Sequence, residues 1–162
     1  MPYHTRRADK EFKDPAKLRM VLKQAKYITL AMCSGDKPYL VSLNHAYDEN
    51  RDCVYVHCAP EGKKLDILRE NPNVWGQAII DHGFFTGKDD CRQNFVSVMF
   101  EGTFNFVTDP KEKLHAFIKT NEALAAPSES LQKVLDAHLD RTTVGRITIT
   151  AMTGKKTKEI TI

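Results

Sequence analysis

The sequence predicts a mainly β fold in which six antiparallel strands form a closed or split barrel, with peripheral helices over its ends. Three observations support this prediction. Six runs rich in β-branched and aromatic residues lie at 27–33, 39–47, 53–57, 74–81, 94–107 and 143–152. The first three runs are short and are joined by tight turns, as in an antiparallel meander. Helical patterns are few, and none of them lies where it would connect two parallel strands, as in a βαβ unit.

The chain begins with a polar arm, residues 1–13, followed by a helix. Asp14 is placed to cap this helix and Pro15 to occupy its first turn, before apolar residues at helical spacing. The length of 162 residues is that of one ordinary domain. We therefore expect a single domain over residues 1–162, with residues 1–13 as its N-terminal arm.

Turn residues separate the first strands. Residues 34–38 and 48–52 are rich in Gly, Pro, Asp and Asn and predict the two turns of the meander. A short helix is predicted over 64–70, where Asn71-Pro72 ends it.

The second half of the chain contains a loop, a long strand and two helices before the last strand. Residues 81–92 are polar and contain two glycines, so they predict a loop. Gly102 within the long strand predicts a bulge or a barrel corner. Asp109, Pro110 and Glu112 form a capping-box pattern for a helix to about residue 121, and a further helix is predicted over 128–139.

Composition excludes several classes of protein. A hydrophobic share of 41% with 28% charged residues is globular, and a net charge of +3 gives no argument for a nucleic-acid partner. No apolar run approaches a membrane span of roughly 18 residues, and no secretory pattern is present, so we expect a cytoplasmic protein.

The cysteines are Cys33, Cys53, Cys58 and Cys91. They lack C-x-x-C spacing and the histidines share no ligand spacing, so no metal site is predicted.

The most informative segment is the junction at residues 55–68. A β-rich run ends at His57, and after a short turn Gly62, Lys63 and Lys64 precede a helical pattern. The N-terminus of a helix carries unsatisfied N–H donors and partial positive charge. This junction therefore suits an anionic group, above all a phosphate.

Other interpretations of the same residues stay open. A lysine pair can be a solvated helix face, and a lone histidine at a strand end such as His57 can be structural. Ser42 and Asn44 alternate with apolar residues and can simply face solvent. Phe84-Phe85, consecutive aromatics in a polar segment, predict an interface that buries them.

Taken in chain order, several short segments resemble the FMN-binding split-barrel superfamily. The matching pieces are Arg6-Arg7, 38–44 with Tyr47-Asp48, 55–59 with 62–66, Asn71-Pro72, 95–98 with Gly102, and Thr153-Gly154-Lys155. Together they cover nearly the whole chain. They resemble most the pyridoxamine-5′-phosphate-oxidase-like branch, which includes nitroimidazole reductases.

The resemblance implies a six-stranded antiparallel split β-barrel of Greek-key type and a homodimer with FMN at the subunit interface. It implies an oxidoreductase that passes electrons from a small-molecule donor to a small nitroaromatic- or quinone-like acceptor. By family position, Lys63 and Lys64 hold the FMN phosphate and Gly62 lets the backbone approach it. The residues expected along the isoalloxazine ring are Val41, Ser42 and Asn44. His57 is expected close to the flavin, as a catalytic residue that contacts the acceptor or tunes the cofactor.

Two alternative functions remain open for the same barrel fold. One is a non-enzymatic FMN carrier or electron-transfer protein, and the other is a haem-binding protein with His57 as iron ligand. The chain departs from true pyridoxamine-phosphate oxidases, because neither Trp, Arg nor His follows Arg146. Oxidation of vitamin B6 is therefore not expected.

Overall fold

A computed structural model describes residues 6–88, 91–127 and 141–162 of the chain. The strands in this part are β1 Glu11–Phe12, β2 Tyr27–Ser34, β3 Lys37–Asp48, β4 Cys53–Cys58, β5 Asn73–Thr86, β6 Cys91–Phe106 and β7 Thr143–Lys156. The helices are a short 3-10 helix at Ala8–Lys10, α1 Pro15–Gln24, α2 Lys63–Glu70 and α3 Pro110–Ala123. The helix predicted over 128–139 lies outside the described residues.

The six long strands form a closed antiparallel ring. Their order is β7-β4-β3-β2-β5-β6, and β6 pairs again with β7. The mainly β prediction and the meander of the first three long strands are confirmed. The two-residue strand β1 pairs with the end of β7, so Glu11 and Phe12 of the predicted arm belong to the sheet.

The main core fills the inside of this ring. Alternate residues of β2 point inward, namely Ile28, Leu30 and Met32, and all three are buried. Helix α1 covers one end of the ring with Leu18, Val21 and Leu22, which belong to the same apolar cluster. The spacing of these three residues on one helix face explains why this segment is both helical and buried.

Helix α3 packs on the outside of the ring over a second apolar cluster. Phe117 of α3 lies there with Tyr55 of β4 and Val144 of β7. The Tyr55 hydroxyl donates a hydrogen bond to Glu112 Oε1 at 2.8 Å, and the Arg146 guanidinium donates to the same oxygen at 2.8 Å. Strand β4 is therefore buried on both faces.

The bulge predicted at Gly102 is confirmed. The pairing of β6 with β7 shifts register between Glu101 and Gly102. A Cβ atom on Gly102 would lie 2.7 Å from the Thr148 carbonyl oxygen, so the two backbones approach too closely for a side chain.

The loop predicted over 81–92 is wrong at 81–86 and 91–92, which belong to strands, and residues 89–90 lie outside the described residues. Strand β5 continues to Thr86 and β6 begins at Cys91, with Phe85 paired opposite Arg92. An irregularity between Asp81 and Phe84 contains Gly83 at φ 80°, whose N–H donates to Asp81. Gly83 lies in a β-bulge, and the pairing of β5 with β6 continues beyond it.

Outward-pointing side chains of β3, β2, β5, β6 and β7 form two adjacent rows across the sheet, here called the outer face. The first row is Ser42, Thr29, Gln77, Met99 and Thr153, and the second is Leu40, Ala31, Trp75, Glu101 and Ala151. The outer face is the side of these strands turned away from the core.

Candidate functional site

Strand β3 changes partners halfway along its length. Residues 37–44 pair with β2, whereas residues 45–48 pair with β4 on the other edge. The last residues of β4, His57 and Cys58, pair with β7 alone. No described strand pairs with the second edge of β3 over 37–44, so alternate backbone N–H and C=O groups there lack a ladder partner. This unpaired edge of β3, and the opening in the sheet beside it, is called the cleft edge below.

The N-terminus of α2 follows the end of β4. Its N-cap residue is Gly62, at φ 136° and ψ 157°, and no side chain caps the helix. By contrast, Asp14 accepts from the Ala16 N–H at the start of α1, and Asp109 accepts from the Glu112 N–H at the start of α3. The first N–H groups of a helix have no acceptor within it. Those of α2 are thus available to an anion.

Space for such an anion exists at Gly62. The residue is exposed, and no atom lies within 4 Å of the position that a Cβ would take. Its positive φ and extended ψ form a backbone conformation that is essentially restricted to glycine. Glycine is therefore required here by conformation, and its missing side chain leaves the approach to the backbone open.

The two lysines connect α2 with both strands beside the opening. The ammonium group of Lys63 lies 4.9 Å from the centre of the Tyr39 ring on β3. Lys64 contacts the Cys58 thiol at the end of β4, where burial raises the pKa of Cys58 and the lysine partly opposes the rise. Gly62, Lys63 and Lys64 thus lie at the start of a helix, as the sequence predicted. Tyr39 was missed, because only its place on β3 brings it there.

The side chains of His57 and Cys58 lie on opposite faces of β4, since successive strand residues face opposite ways. His57 is therefore on the face away from Lys64. Its ring packs against Phe117 of α3, with centres 5.3 Å apart and planes tilted by 41°. Its Nδ1 atom is buried without a hydrogen-bond partner among the described residues. Burial lowers the pKa of His57, so the imidazole is neutral at pH 7.

The three predicted ring-binding residues of β3 do not share one face. Val41 packs against the main core. Ser42 lies outward, with its Oγ 3.1 Å from the hydroxyl of Thr29, and the Asn44 side-chain amide donates to the Lys26 carbonyl at 3.3 Å. All three residues do, however, belong to the part of β3 that forms the cleft edge.

Among residues 6–88, 91–127 and 141–162, no group of three or more His, Cys, Asp or Glu side chains is placed to hold a metal ion. In the same part of the chain, no helix has the length and apolar character needed to cross a membrane.

A family model described as pyridoxamine 5′-phosphate oxidase matches residues 14–156. The chain belongs to the pyridoxamine 5′-phosphate oxidase family. This membership confirms the resemblance drawn from the short segments, and the matched range extends from the cap of α1 to the end of β7. No curated protein sequence matches the chain with significance.

Solved structures similar to this family member share its fold. A candidate 5-nitroimidazole antibiotic resistance protein from Bacteroides thetaiotaomicron is 24% identical, with a TM-score of 0.76 over 90% of this chain and 86% of that chain. An FAD-binding protein from Mesorhizobium loti is 21% identical, with a TM-score of 0.64 over 90% and 96%. An FAD- and haem-binding protein from Mycobacterium smegmatis is 15% identical, with a TM-score of 0.72 over 92% and 74%. At these identities the likeness establishes the split-barrel fold.

Proposed function

We propose that the protein binds FMN and acts as an FMN-dependent oxidoreductase that reduces a small nitroaromatic- or quinone-like acceptor. One observation carries the proposal: the uncapped, lysine-flanked N-terminus of α2 opens beside the unpaired cleft edge of β3. An anion site next to a row of free backbone groups matches a ligand that has a phosphate at one end and a polar heterocycle at the other.

At the phosphate end, the N–H groups of the first turn of α2 supply hydrogen bonds and the positive end of the helix dipole. Lys63 and Lys64 add two mobile positive charges, and lysine binds phosphate as a point charge without fixed geometry. Gly62 leaves the space open. These residues fit a phosphomonoester.

At the ring end, the free backbone groups between Val41 and Asn44 fit the hydrogen-bonding rim of an isoalloxazine. Bound FMN supplies the transfer of hydride or single electrons, while the protein contributes binding, orientation and electrostatics. The neutral imidazole of His57 has one nitrogen that donates and one that accepts. We assign it to contact with the acceptor or to tuning of the flavin.

The outer face supports a homodimer. Four large apolar side chains lie exposed on it or at its margin: Leu40 at 65%, Trp75 at 45%, Ile79 at 56% and Met99 at 43%. An apolar surface of this kind marks an interaction site. We propose that a second copy of the chain covers it, with FMN at the subunit interface, and that Phe84 and Phe85 also lie in that contact.

The reaction partners are proposed to be a small-molecule electron donor and the acceptor. All four cysteines are free thiols, which is consistent with the reducing cytoplasm that we propose as the location.

A spectrum of the purified protein and a titration with FMN test the flavin site. We expect visible flavin absorbance, and binding that weakens about tenfold or more in Lys63→Gln combined with Lys64→Gln. Lys111→Gln is the matched control, because Lys111 is an exposed lysine in the first turn of the capped helix α3. A colourless protein that takes up no flavin would overturn the proposal.

Turnover separates the enzyme from a carrier. Bound FMN that is reduced by NADH, NADPH or another physiological donor, and that passes electrons to a nitroaromatic or quinone, supports the oxidoreductase. Bound FMN that undergoes neither step supports a flavin carrier or electron-transfer protein instead.

Haem binding is a second candidate, favoured by one observation. His57 has a neutral imidazole with a buried, unpartnered nitrogen, and neutral imidazole is the form that ligates iron. Haem added to the protein would give a Soret band that disappears in His57→Ala. A Soret band unchanged in that variant excludes His57 as the ligand.

A further inference from the structure

Lys63 occupies an unfavourable position for a cation, the first residue of helix α2. The N-terminus of a helix carries partial positive charge, which repels an ammonium group. Among the described residues, Lys63 makes no ion pair with a carboxylate, whereas Arg69 in the last turn of the same helix pairs with Asp66 at 2.9 Å. The contact that the structure gives Lys63 is with an aromatic ring instead.

That ring belongs to Tyr39, and the Lys63 ammonium nitrogen lies 4.9 Å from its centre. Tyr39 is half-buried and packs against the main core, so its ring has a fixed place on β3. The residue also lies within the part of β3 that forms the cleft edge. The contact therefore joins the start of α2 to the strand that borders the opening.

An aromatic ring differs from a carboxylate as a partner for this lysine. The ring attracts a cation through its quadrupole and carries no net charge. A carboxylate in the same place would offset the charge of Lys63 and repel a phosphate. Tyr39 thus orders the long, flexible lysine side chain before a ligand arrives and leaves its full positive charge available. Ordering in advance lowers the entropic cost of binding.

We propose that Tyr39 is a positioning residue of the phosphate site, whose ring holds the Lys63 ammonium group beside the N-terminus of α2. This inference rests on the proposed binding of FMN and adds to it a residue that acts through Lys63. Two consequences distinguish this role. The contribution of Tyr39 disappears when Lys63 is replaced, and it strengthens the binding of FMN but not of riboflavin, which lacks the phosphate.

Calorimetric titrations with FMN and with riboflavin test the role of Tyr39. Tyr39→Leu keeps an apolar side chain against the core and removes the ring. We expect it to weaken FMN binding about two- to fivefold, the range for a cation–π contact at an exposed site, and to leave riboflavin binding unchanged. Tyr39→Met, a second apolar replacement, should show the same loss. Tyr39→Phe keeps the ring and should bind FMN as the parent does.

Lys63→Gln completes a double-mutant cycle. This variant alone should bind FMN more weakly, and adding Tyr39→Leu to it should cause no further loss. Phe106→Leu is the matched control, because the guanidinium carbon of Arg69 lies 5.6 Å from the centre of the Phe106 ring. This is a cation–aromatic contact of the same helix, in its last turn. We expect the control to bind FMN as the parent does.

Two kinds of result would overturn the inference, and they differ from each other. In a parent protein that prefers FMN to riboflavin, the role of Tyr39 is refuted by unchanged FMN binding in Tyr39→Leu, by an equal loss for both ligands, by an equal loss with and without Lys63, or by a loss that Tyr39→Phe shares. A parent protein that binds FMN no more tightly than riboflavin refutes the phosphate site itself, and the role of Tyr39 with it.

Discussion

Replacing Gly62 by alanine separates the conformational role of this residue from its role in binding. The backbone at Gly62, φ 136° and ψ 157°, lies in a region that costs a residue with a side chain about 1–3 kcal/mol. The added methyl group meets no atom within 4 Å, so no steric clash adds to this cost. For a domain of this size, a loss of about 2 kcal/mol lowers Tm by roughly 4–8 °C.

The same substitution is expected to weaken FMN binding about tenfold or more. Relief of the strain moves the first N–H groups of α2, and the new methyl group occupies the space that the phosphate needs. Gly35→Ala is the matched control, because Gly35 is also exposed, at φ 60°, with no atom within 4 Å of a Cβ. We expect this control to lose stability without losing affinity for FMN.

Thermal unfolding and a calorimetric FMN titration on both variants check this reasoning. A Gly62→Ala protein that loses stability but binds FMN as the parent does would refute the phosphate site. A Gly62→Ala protein that keeps the parent Tm would refute the assignment of strain at this position.

Three other outcomes are expected. Tyr55→Phe removes a buried hydroxyl that donates to Glu112, and should cost about 1–2 kcal/mol in urea unfolding, unlike Tyr27→Phe at an exposed ring. Burial lowers the pKa of His45, so the unfolded chain takes up a proton that the folded chain does not. Stability then falls as pH drops below about 6.5, by up to about 1.4 kcal/mol per pH unit. His45→Gln, which keeps a donor for the Leu22 carbonyl, should flatten that slope. Met99→Lys should shift sedimentation from dimer to monomer, and an unchanged dimer would count against an interface on the outer face.

Local signals predicted where α1 and α3 begin. Asp14-Pro15 and Asp109-Pro110 start α1 and α3 because an aspartate cap and a proline in the first turn act within a few residues. The segment 81–92 was predicted wrongly for the converse reason. Its glycines and polar residues favour a loop locally, but pairing between β5 and β6 depends on contacts across the hairpin that composition does not record.

The candidate site likewise contains residues that local sequence predicts and residues that only the fold brings together. Gly62, Lys63 and Lys64 are consecutive, so their common position at a helix start was predictable. Tyr39 comes from a different strand, and it meets Lys63 only because β3 runs past the start of α2. The change of partners in β3 between Asn44 and His45, which creates the cleft edge, depends on the closure of the whole ring.

The most direct test of the central claim compares FMN with riboflavin, which has the same ring system without the phosphate. If the N-terminus of α2 with Lys63 and Lys64 holds the phosphate, calorimetry should show FMN binding about a hundredfold more tightly than riboflavin. The combined Lys63→Gln and Lys64→Gln variant should remove most of that difference. Equal affinities of the parent protein for FMN and riboflavin would contradict the account.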